Sequence, residues 1–586
     1  MEQSLRTAAE QWLAEDPDPD TRAELQQLLD RGDEATLRDA FGARLEFGTA
    51  GLRGVIGPGP NRFNRSVVIR TTAGLAAYLL ETVPDAKERG VVIGYDGRRL
   101  SRESAVDAAA VLAGHGIAAK VFQELAPTPL TAFAVTHVGA AAGVMVTASH
   151  NPPEYNGYKV YWSNGAQIVP PDDKGISAAI DRIGPLGSVA RMEEDEARRI
   201  GLWRDLGDEV ITAYFAAIRA LSLSNAGREQ LGIVYTPLHG VGGALASRAF
   251  REFGFRKVHV VEEQMKPDGL FPTVRFPNPE EPGALDLALA LAKEKNADIV
   301  LANDPDADRL AVAARRPDGS WRQLSGNQIG IVLGGWLMER DRGGGERVVI
   351  STIVSTPMVG EMAKAFGVGY DEVLTGFKWI ANRAMDLRRT KGARFLFGFE
   401  EALGYSVGEV CRDKDGVSAA AVFAEIAADA KSRGRDVVDE LEDLYRRFGL
   451  YLSRQHAATM RGAEGQQQIA RIMDRFRTEP PTAIGGLQVL RIRDYENGTI
   501  RNADGSAAGS LDLPASNVLA FELEGGTRVT ARPSGTEPKI KYYFDLREEV
   551  QSGEAIDAAE ERATARLDAL EQDFVRLAQA AAGAAG

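Results

Sequence analysis

Along the chain, the spacing of hydrophobic and polar positions alternates between the pattern of a buried strand and that of a helix. Short apolar runs, typical of buried strands, are each followed by a small or polar loop and then by apolar residues at helical spacing. The clearest strands lie at 91–96, 232–238 and 347–355, and the helices that follow them lie at 101–116, 242–254 and 357–367. This repeated strand–loop–helix order predicts α/β layers with largely parallel or mixed sheets.

The two ends of the chain have a different pattern. Residues 1 to about 40 carry leucines at helical spacing with a break at DPDPD (16–20), which predicts a helical packing extension. From about residue 486, apolar runs separated by glycine turns precede an amphipathic helix at 554–580, which predicts a smaller α+β domain. The expected domains are 1–205, 206–322, 323–455 and 456–586, and the first three are expected to be similar α/β domains.

Composition narrows the class of protein. The 586 residues are 44% hydrophobic and 26% charged, which is typical of a soluble globular protein. The net charge of -14 argues against a nonspecific nucleic-acid binder. Cys411 is the single cysteine, so no internal disulfide forms, and no apolar stretch approaches the roughly 18 residues of a membrane span. The N-terminus is too polar for a signal peptide, so we expect a cytoplasmic protein without a membrane or nucleic-acid partner.

A single serine occupies an unusual position in the stretch TASHNPPEYNGYKVYW (147–162). Ser149 follows the apolar run 141–148, which predicts a buried strand, so its hydroxyl lies where a strand meets a loop. Two prolines stiffen the loop, and Asn156-Gly157 predicts a turn that brings Lys159 back toward the serine. A serine hydrolase lacks support because the G-x-S-x-G elbow is absent. A turn that caps itself remains the alternative.

The next residue, His150, has two candidate roles. It either takes the proton of the substrate or only orients Ser149 through the loop. The second role is favoured because Lys159, and Arg53 in the glycine-rich loop FGTAGLRG (47–54), are better charge partners for a phosphate.

Three aspartates follow another apolar run in DIVLANDPDADRLAVA (298–313). Asp304, Asp306 and Asp308 alternate along an extended loop, so their carboxylates share one side and require a neutralising cation. Oxygen ligands between small residues suit Mg²⁺. A calcium EF-hand fails because Arg309 and Arg315 stand where Gly and Glu are required. A solvated acidic turn is the alternative.

The stretch FLFGFEEALGYSVGEVCRDKDG (395–416) combines acids with cations. Glu400 and Glu401 end an apolar strand, and Arg412 and Lys414 follow a turn. This arrangement suits recognition of sugar hydroxyls and a phosphate, with a surface salt-bridge cluster as the alternative.

A second cationic loop is RPSGTEPKIKYY (532–543). Backbone amides around Ser-Gly-Thr can form an anion nest, and the flanking Arg532 and Lys541 complete a candidate phosphate cradle. A turn at a strand edge is the alternative. The loop LTGFKWI (374–380), with Thr375 and Lys378, is a smaller candidate contribution to the same site.

Taken together, these loops suit phosphoryl transfer on a small sugar. TASHNP, DPDADR, GFEEALGY and RPSGTEPKIKYY, in this order, resemble the phosphoserine, metal, sugar and phosphate loops of the α-D-phosphohexomutase superfamily over about residues 40–560. The long phosphoglucomutase and phosphopentomutase branch is the most similar. The resemblance implies four domains around a central cleft, with three similar α/β mixed-sheet domains followed by a smaller α+β domain.

The resemblance also implies roles for individual residues. Ser149 carries the phosphoryl group and is a Mg²⁺ ligand together with Asp304, Asp306 and Asp308. Lys159 and Arg53 lie beside the phosphoserine, and one of them serves in acid/base work. The residues implied in substrate binding are Arg309, Thr375, Gly376, Lys378, Glu400, Glu401, Arg412, Lys414, Arg532, Ser534, Gly535, Thr536 and Lys541.

The implied activity is a Mg²⁺-dependent interconversion of glucose 1-phosphate and glucose 6-phosphate, with glucose 1,6-bisphosphate as intermediate and activator. Ala402 stands where some relatives have serine, which leaves phosphopentomutase open. Tyr405 stands where phosphomannomutases have histidine, which favours glucose over mannose, and phosphomannomutase is a further alternative. A metal-dependent sugar phosphatase with Asp304 or Asp306 as nucleophile is an alternative, but it leaves TASHNP and RPSGTEP unexplained. A noncatalytic sugar-phosphate binding protein is another. The expected partners are sugar phosphates, and the expected assembly is a monomer or homodimer.

Overall fold

The computed structural model describes residues 3–48, 51–460, 462–534 and 539–583. Contacts along the chain divide it into two compact units. Unit 1 comprises Met1–Leu324, Phe395–Gly398 and Ala402–Asp436, and unit 2 comprises Ser325–Arg394, Phe399–Glu401 and Val437–Gly586. The four expected domain boundaries stay predictions.

Unit 1 begins with the predicted helical extension. Its helices are α1 (Gln3–Glu15), α2 (Pro19–Arg31) and α3 (Glu34–Phe41). The break at DPDPD forms because Asp18 caps α2 by accepting a hydrogen bond from the backbone N–H of Asp20. Leu25, Leu28 and Leu37 pack into a small core of their own, which confirms the helical prediction.

The first α/β layer of unit 1 surrounds a six-stranded mixed sheet of order β1-β5-β4-β2-β3-β6. Strands β2, β3, β4 and β6 are parallel, whereas β5 runs antiparallel to β4 and to β1. The strands are β1 (Leu52–Val55), β2 (Val91–Tyr95), β3 (Ala119–Phe122), β4 (Ala142–Val146), β5 (Tyr155–Trp162) and β6 (Trp203–Leu206), and the helices are α4 (Arg65–Thr82), α5 (Ala86–Arg89), α6 (Ser101–Gly114), α7 (Thr128–His137), α8 (Asp172–Asp181) and α9 (Glu194–Arg199).

The second layer of unit 1 repeats this plan with five strands in the order β11-β10-β9-β7-β8. Strands β7, β8 and β9 are parallel, and β10 and β11 form antiparallel pairs at one edge. The elements are α10 (Asp208–Arg219), β7 (Gly232–Thr236), α11 (Gly243–Phe253), β8 (Lys257–Val260), α12 (Glu262–Met265), α13 (Asp286–Glu294), β9 (Ile299–Ala302), β10 (Ala311–Arg315) and β11 (Trp321–Leu324).

A third α/β stretch follows in the chain. Its strands β12 and β13 are a parallel pair, as the strand–loop–helix pattern predicts. The elements are α14 (Gly326–Arg340), β12 (Arg347–Thr352), α15 (Met358–Phe366), β13 (Gly369–Val373), α16 (Phe377–Lys391), β14 (Arg394–Glu400), β15 (Gly404–Val407) and α17 (Gly416–Ser432).

The C-terminal part of unit 2 is an antiparallel sheet of eight strands. Seven strands have the order β16-β23-β22-β21-β18-β19-β20, β17 pairs with β18, and α20 packs on β16 and β23. This confirms the expected change to a β-rich domain with a closing helix. The elements are α18 (Val437–Phe448), β16 (Leu450–Thr459), α19 (Gly462–Thr478), β17 (Ala483–Ile484), β18 (Leu487–Asp494), β19 (Thr499–Asn502), β20 (Ala507–Ser510), β21 (Leu519–Leu523), β22 (Arg528–Pro533), β23 (Lys539–Glu548) and α20 (Ile556–Ala582).

The sheets of unit 1 place two of the predicted loops at strand ends. Ser149 follows β4, and Asp304 follows β9, both at the carboxyl ends of parallel strands, where α/β sheets bind ligands. Among the helices of the described residues, none combines the length and the apolar composition of a membrane span.

Candidate active site

The loop after β4 holds Ser149 in a constrained conformation. Its φ is 51°, in the left-handed region that residues other than glycine seldom adopt. The backbone N–H of Ser149 donates to Thr147 Oγ1 at 2.9 Å, and the serine is buried with 3% exposure. The loop therefore fixes both the direction and the environment of the hydroxyl.

The guanidinium of Arg98 anchors this loop, and the sequence patterns did not predict this role. Its Nη2 donates to the carbonyl oxygens of Ser149 and Asn151 at 2.5 and 2.6 Å, and its Nη1 donates to that of Pro152 at 2.8 Å. The guanidinium is buried and lies 3.4 Å from Asp96 Oδ2. The available signal was YDGRR directly after β2, where an arginine follows the end of a parallel strand.

The predicted turn at Asn156-Gly157 is wrong, because both residues lie inside β5. Asn156 is buried, and its Nδ2 donates to the Arg99 carbonyl at 2.8 Å and to Ser101 Oγ at 2.9 Å. A Cβ on Gly157 would lie only 2.6 Å from the Thr147 carbonyl oxygen, so the glycine permits close strand packing. The chain reverses before β5 instead.

The three aspartates of the second loop converge as predicted. Carboxylate oxygens of Asp304, Asp306 and Asp308 lie within 4.8 Å of one another, and all three residues are buried. Ala307 has a φ of 56°, a left-handed conformation within this loop. The loop meets the serine directly, because Ser149 Oγ donates to Asp304 Oδ2 at 2.7 Å.

Two lysines offset the charge of the aspartates. Lys159 Nζ, on β5, lies 2.7 Å from Asp306 Oδ2 and 3.2 Å from Asp308 Oδ2. Lys414 Nζ lies 3.2 Å from Asp308 Oδ2 and 3.1 Å from Asp413 Oδ1, so the structure brings Lys414 to the aspartates. Thr128, a residue the sequence did not single out, donates its hydroxyl to Asp306 Oδ2 at 2.6 Å.

Burial and ion pairs shift the pKa values of the three aspartates in different directions. Burial and the neighbouring carboxylates raise the pKa of Asp304 well above its ordinary value. Burial alone would also raise the pKa of Asp306 and Asp308, but Lys159 lowers both, and Lys414 also lowers that of Asp308. The pKa of Lys159 is raised in spite of its burial, because Asp306 and Asp308 favour the ammonium.

The donor set fits a divalent cation. In the described part of the chain, Asp306 Oδ1 and Asp308 Oδ1 are buried and have no hydrogen-bond partner. Buried carboxylate oxygens without a partner are costly, and a small cluster of such oxygens suits the hard ion Mg²⁺. Asp304, Asp306 and Asp308 would hold the ion.

His150 and two arginines complete the surroundings of Ser149. His150 Nδ1 lies 3.2 Å from Ser149 Oγ, and burial together with the charges of Arg309 and Arg53 lowers the pKa of His150 well below its ordinary value. Arg53 Nη1 donates to Asn151 Oδ1 at 3.3 Å, and Arg309 Nε lies 3.9 Å from Asp304 Oδ2. All four residues predicted for catalysis, including Lys159, therefore lie at the serine loop or the aspartates.

In unit 2, the predicted sugar-loop residues group around Glu400. The backbone N–H of Gly376 donates to Glu400 Oε1 at 2.7 Å, and Gly376 has a φ of 121°, which favours glycine. The hydroxyl of the adjacent Thr375 is buried without a hydrogen-bond partner among the described residues, and Lys378 is buried with its Nζ 5.2 Å from the Trp379 ring centroid.

Glu401 lies near the predicted phosphate loop of the same unit. Burial raises the pKa of Tyr543 to about 12, with a further contribution from the charge of Glu401, while the charge of Arg532 and a hydrogen bond with it oppose the rise. Arg532 pairs with Lys541 across β22 and β23, and the N–H of Ser534 donates to the Lys539 carbonyl at 2.7 Å. Gly535 and Thr536 lie outside the described residues.

Arg412 belongs to unit 1, where its Nη1 donates to the Asn164 carbonyl at 2.6 Å. Tyr405 is fully buried in β15 and stacks on Phe397 with ring centroids 6.5 Å apart. A side chain enclosed in this way is not available to a sugar. The comparison of Tyr405 with histidine therefore loses its physical basis as an argument for glucose over mannose.

Three family models cover most of this architecture. They describe α/β/α domains I, II and III of phosphoglucomutase/phosphomannomutase and match residues 44–186, 212–319 and 325–448. The chain belongs to the phosphoglucomutase/phosphomannomutase family. Family membership confirms the predicted phosphohexomutase resemblance and the three mixed α/β domains, which the β-rich C-terminal domain follows.

The relatives of this chain are named for different sugar substrates. A Haemophilus influenzae protein named "Probable phosphomannomutase" is 42% identical over 83% of the chain and 93% of its own length. A human phosphopentomutase is 38% identical over 92% of the chain and 90% of its own length. The phosphoglucomutase parafusin from Paramecium has the same fold, with a TM-score of 0.68 at 18% identity over 92% of the chain and 95% of its own. The protein is thus a sugar phosphomutase, and the comparisons leave the preferred sugar open.

Proposed function

We propose that the protein is a phosphoserine-dependent mutase that interconverts glucose 1-phosphate and glucose 6-phosphate. Mg²⁺ is the proposed cofactor, and glucose 1,6-bisphosphate is the proposed intermediate and activator. The observation that supports this most strongly is the buried hydroxyl of Ser149, 2.7 Å from Asp304 within the cluster of aspartates and lysines. A serine there can carry a phosphoryl group whose negative charge is offset by its surroundings.

The proposed cycle conserves both phosphoryl groups. The bond from phosphorus to Ser149 Oγ breaks as the free hydroxyl of the sugar monophosphate bonds to phosphorus, and the hydroxyl proton passes to a base. The resulting bisphosphate reorients and returns its other phosphoryl group to Ser149. When bound, Mg²⁺ supplies electrostatic stabilisation of the transferring group.

The protonation behaviour of Lys159 and His150 determines which role each can have in the proposed reaction. Lys159 is held as an ammonium by Asp306 and Asp308, so it donates hydrogen bonds and stabilises negative charge. Burial and the charges of Arg309 and Arg53 lower the pKa of His150, which disfavours the imidazolium and weakens the ring as a base, so an orienting role beside Ser149 is favoured over a proton-accepting one. The pH dependence of turnover in His150→Gln would separate a proton-accepting role from an orienting one, because only the first moves the acidic limb.

Phosphopentomutase is the second candidate for the sugar. It is favoured by the human relative, whose likeness extends over 92% of the chain. The proposed roles of Glu400, Thr375 and Arg532 apply to either sugar, because both present hydroxyls and a distal phosphate.

The test compares purified wild-type protein with Ser149→Ala on the 1-phosphates of glucose, ribose, deoxyribose and mannose. Mg²⁺ and the matching bisphosphates are present in each assay. We expect the highest kcat/KM with glucose 1-phosphate, and one phosphoryl group in the intact mass that Ser149→Ala removes. Ser552→Ala, at an exposed turn, is the matched control and should keep that mass. A higher kcat/KM with ribose 1-phosphate would assign the second candidate. Substantial turnover by Ser149→Ala would contradict the phosphoserine mechanism.

A further inference from the structure

Arg528, the first residue of β22, is the centre of a buried charge cluster in unit 2. Its side chain is 7% exposed, and its Nη1 donates to Glu372 Oε1 at 2.8 Å. Its Nη2 donates to the carbonyl oxygen of Ser355 and, at 3.3 Å, to Asp545 Oδ2. Arg493 Nη1 donates to Glu372 Oε2 at 3.0 Å. Arg493 Nε also lies 2.5 Å from Glu522 Oε1, so two guanidinium groups pair with three carboxylates, and the cluster joins β13 to the C-terminal sheet.

Ser355 extends this cluster to the sugar loop. Its hydroxyl donates to Glu401 Oε2 at 3.1 Å and lies 3.2 Å from the backbone nitrogen of Glu401, which donates to it. The hydroxyl of Thr352 is 2.8 Å from that of Ser355 and reaches the same carboxylate at 3.4 Å. Arg528 thus holds the carbonyl of the residue whose side chain holds Glu401.

The strand that begins with Arg528 also leads to the candidate phosphate loop. Arg528 pairs with Asp545 and Arg532 with Lys541 in one unbroken register, so the two arginines are four residue steps apart along the strand, about 13 Å. On the neighbouring strand, the charge of Glu401 raises the pKa of Tyr543 and the charge of Arg532 lowers it. Because β22 is paired along this length, its spacing is rigid.

We propose that Arg528 is a positioning residue that fixes the distance between the Glu401 turn and Arg532 near the end of β22, and thereby selects the length of the sugar phosphate. The inference rests on the proposed function. Hexose and pentose phosphates differ by one carbon between the C3 hydroxyl and a phosphate on the terminal carbon, which is C6 in a hexose and C5 in a pentose. A site of fixed spacing discriminates such a difference by about 10- to 200-fold. Only the planar fork of arginine can reach two carboxylates and a carbonyl at once, so lysine is not equivalent.

Arg528→Lys tests the proposal through a ratio of two rates. The measured quantity is kcat/KM for glucose 6-phosphate divided by kcat/KM for ribose 5-phosphate, because the phosphate on the terminal carbon is then the distal one. We expect Arg528→Lys to move this ratio toward one by about threefold or more, mainly through KM. Ser149 should remain phosphorylated in the intact mass. Arg491→Lys is the matched control, because that side chain is on β18 with 58% exposure, and it should leave the ratio unchanged.

Ser355→Ala is the second variant. It removes both contacts of the hydroxyl with Glu401 and keeps the carbonyl that Arg528 binds, so it should move the ratio in the same direction. If Arg528→Lys fails to fold, Ser355→Ala decides alone. Equal loss on both sugars, in step with a lower melting temperature, would show a purely structural role and overturn the inference. A wild-type ratio near one would also overturn it, because no length selection would exist. Absence of wild-type turnover on every aldose 1-phosphate would instead defeat the proposed function.

Discussion

Replacement of Arg98 tests whether one buried cation determines the geometry of the serine loop. Arg98 is 4% exposed and donates to four backbone carbonyls of the loop, with its two shortest bonds, 2.5 and 2.6 Å, to Ser149 and Asn151. Arg98→Lys keeps the positive charge beside Asp96 but loses the planar fork of donors. Arg98→Met removes the charge as well, and leaves the buried Asp96 carboxylate without its ion-pair partner.

The magnitude follows from these contacts. One hydrogen bond from a charged group contributes about 1.5–3 kcal/mol, but four bonds of one network do not simply add. Loss of one partner of a buried ion pair costs about 3–5 kcal/mol. We therefore expect the free energy of unfolding to fall by about 3–5 kcal/mol in Arg98→Met and by about 1–3 kcal/mol in Arg98→Lys. A displacement of Ser149 Oγ by one ångström would reduce turnover about 100-fold in both.

Three measurements check the expected losses of stability and turnover in the Arg98 variants. Chemical denaturation gives the loss of stability, hydrogen exchange over residues 147–155 reports local opening of the loop, and the mutase assay gives turnover. Arg99→Met, at the exposed neighbouring position, is the matched control and should resemble wild type. If Arg98→Met keeps more than about a tenth of wild-type turnover, the loop does not depend on Arg98 and the reasoning fails.

Three further predictions concern other parts of the molecule. Asp306→Asn should weaken Mg²⁺ binding by about tenfold or more, so the rise in melting temperature on Mg²⁺ addition should shrink; an unchanged rise would exclude Asp306 as a ligand. Burial alone would raise the pKa of Glu372, but Arg528 and Arg493 hold it below its ordinary 4.5. The stability that Glu372 contributes is therefore present above about pH 4.5 and lost as the pH falls through the lower folded pKa, so the acid loss of melting temperature should be smaller in Glu372→Gln than in wild type. Tyr405→His should lower the melting temperature without raising the rate on mannose 1-phosphate relative to glucose 1-phosphate, since the position is enclosed in β15.

The sequence predicted those parts of the site whose functional side chains all lie within one short segment. The alternation of Asp304, Asp306 and Asp308 places three carboxylates on one side of a loop, whatever the rest of the fold does. Ser149 was recognisable for a similar reason, because an apolar strand ends immediately before it. The strands and helices of the α/β layers were predictable because their apolar periods are long and regular.

The parts that the sequence did not reveal depend on distant partners. Arg98 binds backbone carbonyls more than fifty positions away, and a carbonyl leaves no signature in a sequence. Lys414 forms an ion pair with Asp308, which is more than a hundred positions away in the sequence, although the residues next to Lys414 suggested a contact with the sugar. Asn156-Gly157 was interpreted as a turn because that dipeptide favours turns, but strand pairing with its neighbours overrode the local preference.

The chemistry of a mutase also limits where its sugar specificity can lie. In the proposed cycle the bisphosphate is bound in two orientations. A residue that binds the distal phosphate, which is the role proposed for Arg532, would therefore meet both ends of the sugar in turn. Contacts to a single hydroxyl change between the two orientations, whereas the distance from the Glu401 turn to the distal phosphate loop does not. In the proposal, the Arg528 cluster fixes that distance in unit 2. We therefore expect length selection to act most strongly in the half-reaction in which the phosphate on the terminal carbon is distal, because the C3 hydroxyl is then one carbon farther from it in a hexose than in a pentose.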